Sequence, residues 1–115
     1  GQTPLTAAAE FGRADVVRVL LANKADPNLR DAGSEFPHAT PLSTAALHGQ
    51  LEVCRILLDA GADPNIPTYP KQSGEPANWT ALDWALRENH TDIVRLLREH
   101  GGAEGRGRGT AVPPR

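Results

Sequence analysis

The sequence predicts a mainly α-helical solenoid, in which short helical hairpins stack side by side in one domain. Three observations indicate this fold: a two-part motif occurs three times, its parts keep a constant mutual spacing, and the composition favours small side chains. The 115 residues include 17 alanines, 13 leucines and 11 glycines but only five aromatic residues. A thin, layered core accommodates such residues better than one bulky central core does.

Charge and cysteine content exclude several classes of protein. Twelve Lys and Arg stand against 14 Asp and Glu, and this net charge of -2 provides no overall attraction to nucleic acid or to an anionic membrane. No apolar run approaches the roughly 18 residues of a membrane-spanning helix. Cys54 is the single cysteine, so no intrachain disulfide and no cysteine metal cluster can form. We therefore expect no membrane partner.

The repeated motif has two parts at a fixed separation. Its first part begins at a threonine in every copy: Thr3, Thr40 and Thr80. Its second part begins at an acidic residue: Asp15, Glu52 and Asp92. Both parts recur after 37 and then after 40 positions, so all variation in length lies between copies. We interpret each copy as a rigid unit and the segments between copies as loops that tolerate insertion.

The first part predicts a short helix. Thr3 is a suitable N-cap and Pro4 suits the first helical position, so we expect a helix over about Pro4 to Glu10. Gly12 then supplies the left-handed conformation that ends many helices. The later copies repeat this pattern with Thr40, Pro41 and Gly49, and with Thr80, Ala81 and Asn89.

The second part predicts a longer amphipathic helix. Its apolar stripe is wide and consists in the first copy of Val16, Val17, Val19, Leu20 and Leu21. Pro27 and Pro64 follow the first two copies and prevent the helix from continuing. One hairpin cannot bury such a stripe, whereas stacked neighbours can.

These motifs resemble the ankyrin repeat over residues 1 to about 103. The shared features are the Thr-Pro-Leu start, the Ala-Ala pair, the Gly turn, the Leu-Leu pair and the Gly-Ala-Asp-Pro-Asn end at 61–65. The resemblance implies a solenoid of helix-turn-helix units joined by β-hairpin loops, called fingers. It divides the domain into repeats at about 1–38, 39–77 and 78–103, and leaves 104–115 as a flexible Arg/Gly/Pro tail or linker.

Departures from the family pattern carry predictions of their own. The family's His is replaced by Thr6, Ser43 and Asp83, so its hydrogen-bond network must be replaced or reduced. Lys24 occupies a glycine slot, where a left-handed conformation costs up to about 1 kcal/mol. Arg98 replaces the second Leu of the Leu-Leu pair, so we expect the outer side of the third repeat to face water.

The first repeat carries no polar substitution comparable with Arg98 of the third repeat. Gly1 falls inside the motif and the apolar stripe is unmodified. We interpret the chain as a fragment from which at least one preceding repeat is missing. The lone cysteine and the family resemblance favour a cytoplasmic or nuclear protein.

The sequence contains no recognisable catalytic or metal-binding motif. The four histidines, His38, His48, His90 and His100, lack the i, i+4 spacing of a helical metal pair. Cys54 aligns with Val17 and Val94, which indicates a small core side chain rather than a nucleophile. We predict no enzymatic activity, no cofactor and no small-molecule substrate.

Two basic features leave alternatives open. Arg18, Arg55 and Arg95 would form a column on the stack that either binds an acidic partner or forms local surface ion pairs within each second helix, at i, i+3 from Asp15, Glu52 and Asp92. The Arg-Gly tract at 105–109 either contacts RNA or serves as a linker. A nucleic-acid-associated protein and a regulatory or targeting domain of a larger protein therefore remain alternative functions.

The resemblance implies a non-catalytic scaffold that holds a protein or peptide partner on the concave face formed by fingers and first helices. Trp79 and Trp84 are candidate binding residues, because the other two repeats carry small or polar residues in the same slots and stacking does not require an indole there. Alternatively, both indoles hold the inserted loop between the second and third repeats. The predicted binding residues are Trp79, Trp84, Tyr69, Leu47, Arg87, Phe36 and His38.

Overall fold

The computed structural model describes residues 3–30, 39–68 and 79–105. These residues form six helices: α1 (Pro4–Glu10), α2 (Ala14–Ala22), α3 (Pro41–Leu47), α4 (Leu51–Asp59), α5 (Ala81–Arg87) and α6 (Thr91–Glu99). The first helices α1, α3 and α5 contact one another in one row, and the second helices α2, α4 and α6 form a parallel row. The predicted mainly α-helical repeat solenoid is confirmed.

Threonine caps begin all three first helices, as the sequence predicted. The hydroxyls of Thr3, Thr40 and Thr80 accept the backbone N–H three residues later, at 3.1, 3.1 and 3.5 Å. In return, the Ser43 hydroxyl and the Asp83 carboxylate accept the N–H of their own cap residue, at 3.0 and 2.8 Å. These capping boxes use the slot of the family's histidine, so local hydrogen bonds replace part of the expected network.

Left-handed residues end the helices where the sequence placed glycine or its substitutes. Lys24 has a φ of 68° and Asn89 a φ of 60°, so both adopt the conformation of the glycines they replace. Gly49 (φ 73°) is further constrained from outside its own repeat, because a Cβ there would lie 2.8 Å from Cε1 of His90. This turn therefore needs glycine for its conformation and also for the close approach of the next repeat.

Hydrogen bonds between successive repeats recur at equivalent positions. The Gln50 amide donates to the Glu10 carbonyl at 3.1 Å, and the His90 ring lies 3.2 Å from the Leu47 carbonyl in the next pair of repeats. Asn28 accepts the backbone N–H of Asp63 at 2.7 Å. Asn65 repeats this role in the following repeat through bonds to Gly101 and Ala103. One pattern of stacking thus joins all three hairpins.

The core is thin and built from small side chains. Alanines of the first helices pack between the rows, with Ala9, Ala46 and Ala85 fully buried. The second helices add larger side chains, among which Leu57 and Leu97 are fully buried. This arrangement explains how the chain folds with only five aromatic residues.

The predicted fingers fall largely outside the described residues. Thr68 and Trp79 form an isolated antiparallel bridge at the base of the second finger, the sole β structure in the described part of the chain. At the C-terminal end, the Gly105 N–H donates to the Asp83 carboxylate at 2.9 Å and the Thr80 hydroxyl donates to the Ala103 carbonyl at 2.7 Å. Packing therefore extends to Gly105, two residues beyond the predicted end of the domain.

Candidate protein-binding surface

The outer ends of the first helices form one continuous row of side chains. Each Ala-Ala or Ala-Leu pair of the motif is followed by two outward-facing residues before the left-handed turn. Together with Trp79, these residues are named here the first-helix surface: Glu10 and Phe11, Leu47 and His48, Arg87 and Glu88. Leu47 is half-buried and Arg87 is exposed, so both side chains present part of their area to a partner.

Phe11 is the apolar member of this surface that sequence reasoning missed. Its side chain is 69% exposed, the most exposed of the large apolar residues in the described part of the chain. The signal was available, because Phe11 shares its slot with His48 and Glu88, both of which are exposed. A large aromatic residue in a slot that is otherwise polar indicates a contact outside the core.

Trp79 and Trp84 form an aromatic pair at the third repeat. Their ring centroids lie 4.5 Å apart at an interplanar angle of 41°. The Trp84 indole N–H donates to the Thr68 hydroxyl at 2.8 Å, and the same hydroxyl donates to the Trp79 carbonyl at 2.8 Å. Thr68 is itself buried, so this network joins Thr68 and Trp79, which flank the segment 69–78, to α5.

Trp84 lies beneath the surface rather than on it. Trp84 is 3% exposed, and Thr44 in the same slot is also buried, so little of this indole is accessible to a partner. Its indole N–H bonds to Thr68, which directly precedes the segment 69–78; the alternative interpretation, in which the aromatic pair holds the inserted loop, stays a prediction. Trp79, in contrast, is half-buried and keeps part of its ring at the surface.

Arg87 lies over both indoles. Its guanidinium carbon is 5.6 Å from the Trp79 ring centroid and 5.9 Å from that of Trp84. The same guanidinium approaches Glu88, with Nε and the carboxylate oxygen 3.8 Å apart. Such a cation–π contact contributes about 0.5–1 kcal/mol at an exposed site. It also holds the long Arg87 side chain in place, which lowers the entropy that a partner's binding must remove.

The remaining predicted binding residues lie outside the described residues. Phe36 and His38 belong to the segment 31–38, and Tyr69 begins the segment 69–78. The structure brings Arg87 onto Trp79, and Leu47 occupies the slot of Arg87 in the preceding repeat. The binding roles of all seven residues stay predictions.

The arginine column is joined across repeats. Arg18 of α2 pairs with Glu52 of α4 at 2.9 Å, and Glu52 also approaches Arg55 of its own helix at 3.9 Å. These side chains are more than half exposed, so each pair contributes little stability. The contact between Arg18 and Glu52 nevertheless links adjacent repeats, which the interpretation as pairs within one helix did not predict.

The described side chains offer little for catalysis or metal binding. Within residues 3–30, 39–68 and 79–105, no three His, Cys, Asp or Glu side chains gather as metal ligands do. Burial raises the pKa of the Cys54 thiol to about 12, so the thiol stays protonated and is a poor nucleophile. None of the described helices has the length and apolar character needed to cross a membrane.

Comparison with known proteins agrees with this architecture. A model of ankyrin repeats in three copies matches residues 1–68 and 34–106, which together cover most of the chain. A comparison with curated proteins gave no match. Ankyrin repeats are in general modules for protein–protein interaction, and catalysis is not typical of them. The caps, turns and stacked rows described above are therefore those of a protein that belongs to the ankyrin-repeat family.

Proposed function

We propose that this domain is a non-catalytic module that binds a protein or peptide partner on the first-helix surface. One observation carries the proposal: apolar area is exposed in every repeat of the same row. Phe11 supplies it in the first repeat, Leu47 in the second and Trp79 in the third. Phe11 and Leu47 lie at the C-terminal ends of α1 and α3, and adjacent helices pack about 8–10 Å apart. Trp79 precedes the N-cap of α5 and is joined to the end of that helix by the contact with Arg87.

The third repeat supports the tightest contact. Trp79 rests on the buried Trp84 and lies beneath the guanidinium of Arg87. Trp, Tyr and Arg dominate interface hot spots, and a pre-ordered aromatic–cation pair binds at low entropic cost. Trp84 acts in this proposal as a support for Trp79, without touching the partner.

Affinity capture from cell extract with quantitative mass spectrometry tests the proposal. The test variants are Phe11→Ala and Arg87→Ala, since both side chains are exposed and their loss leaves the core intact. We expect bound proteins to be lost, with an affinity decrease of about 30-fold for a hot-spot residue. Val19→Ala is the matched control, because Val19 is 59% exposed but lies on α2. Equal capture by all three variants would place the binding site elsewhere.

A cytoplasmic or nuclear location forms part of the proposal. It is supported by the buried, protonated Cys54 thiol, which needs no oxidising environment. The proposed repeats span about 1–38, 39–77 and 78–103. Packing against the third repeat continues to Gly105. The Arg106–Arg115 segment lies outside the described residues, so the nucleic-acid alternative gains no support from the structure.

A further inference from the structure

An open groove lies between the end of α5 and the length of α6 in the third repeat. Its volume is about 630 Å³, which lies in the range of sites that hold ligands. Leu86 of α5 and Val94 of α6 supply apolar lining, and charged side chains line the α6 side. The α5–α6 groove is defined here by five of its lining residues: Leu86, Val94, Arg95, Arg98 and Glu99.

The charges of this groove are unbalanced. Within residues 3–30, 39–68 and 79–105, no ion pair includes Arg95 or Arg98, although Glu99 lines the same groove. Both arginine side chains are exposed. The groove therefore carries two positive charges and one negative charge, in a chain whose net charge is -2. This local excess of positive charge favours an acidic ligand.

The slot of Arg95 binds a carboxylate in the other repeats. Arg18, in this slot of the first repeat, donates to the Glu52 carboxylate of the following repeat at 2.9 Å. Arg55, in this slot of the second repeat, has its Nε 3.9 Å from the same carboxylate group. Arg95 has no such partner among the described acidic side chains. Its slot thus suits a carboxylate that approaches from the outer side of the third repeat.

The groove differs from the surfaces that stack inside the solenoid. Leu86 occupies the slot of Ala46, which is fully buried, and the larger leucine leaves less room for a closely packed helix. Arg98 occupies the slot of the buried Leu58. A helical hairpin packed over Arg98 would remove its guanidinium from water at a large desolvation cost. A narrow segment that contacts the groove and leaves the arginines partly hydrated is the better occupant.

We propose that the α5–α6 groove binds an acidic peptide segment of a partner protein. An aliphatic side chain of the segment packs against Leu86 and Val94. Carboxylates of the segment accept hydrogen bonds from Arg95 and Arg98, as Glu52 does from Arg18.

Two other features of the chain are separate from this site. The segment 106–115 is a poor occupant, because it contains three arginines and no acidic residue. The first-helix surface shares no residue with the α5–α6 groove, so the inference does not rest on the proposed function.

Peptide display on the full chain tests the proposal. A displayed library of random peptides is selected on the parent chain and counter-selected on the double variant Arg95→Gln, Arg98→Gln. We expect the surviving peptides to combine aspartate or glutamate with leucine, isoleucine or valine. In NMR titrations they should shift the amide signals of Leu86 and of residues 94–99. Loss of all peptides in the counter-selection, or survivors without acidic residues, would overturn the proposal.

Single substitutions then locate the contact, with the affinity of a surviving peptide measured by fluorescence anisotropy. Arg95→Gln and Arg98→Gln should each weaken binding by about 10-fold, because each removes a charge-assisted contact. Arg55→Gln is the matched control and should change the affinity by less than about 2-fold, since Arg55 lies in the same slot of another repeat. An equal loss in all three variants would show attraction to overall charge and overturn the proposal.

The apolar half of the site has its own variant. Leu86→Ala should weaken the same peptide by about 5-fold, and alanine is the native residue of this slot at Ala46. An unchanged Tm confirms that the variant is folded. Unchanged affinity in Leu86→Ala would contradict the apolar contact.

Two further measurements cover other occupants. Vesicles of phosphatidylcholine and phosphatidylserine should not retain the protein; retention that Arg95→Gln abolishes would assign the groove to lipid headgroups. Sedimentation over a wide concentration range should show no dimer that depends on Arg98; a dimer that Arg98→Gln abolishes would assign the groove to a second copy. Either result would overturn the proposal.

Discussion

The first and third repeats carry the same motif but differ on the side that faces away from the middle repeat. The first repeat presents Pro4 and Val16 there, whereas the third presents Arg98. The segment at 103–105 also folds back and bonds to the capping box at Thr80 and Asp83. The difference shows that a motif determines the hairpin, while the neighbours determine how much of its apolar area is buried.

The largest expected effect is the difference in stability lost when a leucine of the same slot is replaced by alanine in two repeats. Leu57→Ala removes a fully buried side chain and should lower the free energy of unfolding by about 2–5 kcal/mol. Leu20→Ala in the same slot of the first repeat should lower it by about 1 kcal/mol, because Leu20 is only half-buried. Urea unfolding of both variants measures the difference. Equal losses would show that the preceding repeat does not control this slot.

The second prediction concerns the contact between the tail and the third repeat. Asp83→Ala removes acceptors used by the Thr80 and Gly105 N–H groups and should cost about 1–3 kcal/mol. Ser43→Ala in the middle repeat removes only a capping box and should cost about 1 kcal/mol. Hydrogen exchange of the Gly105 amide is the specific readout. If that amide stays protected in Asp83→Ala, the carboxylate does not hold the tail.

The third prediction uses a slot that is buried in all three repeats. Burial raises the pKa of Cys54 from 9.0 to about 12, so the thiol of the unfolded chain loses its proton first as pH rises. Its contribution to stability is complete below about pH 9. Between about pH 9 and 12 the free energy of unfolding should fall by up to about 1.4 kcal/mol per pH unit.

Cys54→Val isolates this thiol from other groups that titrate at alkaline pH. Valine fills the same slot at Val17 and Val94, so the variant should fold with similar stability at pH 7. Its free energy of unfolding should fall less steeply with alkaline pH than that of the parent chain. Parallel pH profiles would mean that Cys54 ionises as readily in the folded protein as in the unfolded one.

The smallest expected effect concerns the turns after the second helices. Lys24 has a φ of 68° in a slot held by Gly61 and Gly101 in the other repeats. Lys24→Gly should therefore stabilise the protein by up to about 1 kcal/mol in urea unfolding. Gly61→Ala is the reverse control. No atom lies within 4 Å of the added Cβ, so the left-handed conformation is the source of strain and the protein should lose a similar amount of stability. A loss of stability in Lys24→Gly would contradict this account.

Much of the fold could be predicted from local sequence. The helix at Pro4–Glu10, the threonine caps and the left-handed turns at Lys24 and Asn89 all agree with the structure. Each of these features depends on hydrogen bonds or backbone preferences within a few residues. The exposure of Arg98 also followed from its place in an otherwise apolar pair.

The candidate surface was predicted less well. Trp79, Leu47 and Arg87 lie on or at the edge of the first-helix surface, but Trp84 is buried and Phe11 was overlooked. The sequence shows an indole in a slot of small or polar residues but not which residues cover it. Its burial depends on Thr68, which lies 16 positions earlier and accepts the indole N–H.

The sequence by itself determined the repeat, its helices and its family, because these follow from periodic local patterns. The tertiary structure decided which apolar side chains are covered. Val16 and Val53 have the same local context, yet only Val53 has a hairpin packed against it. The physical reason is that the hydrogen bonds between repeats join residues 34–43 positions apart, and these contacts exist only once the hairpins stack.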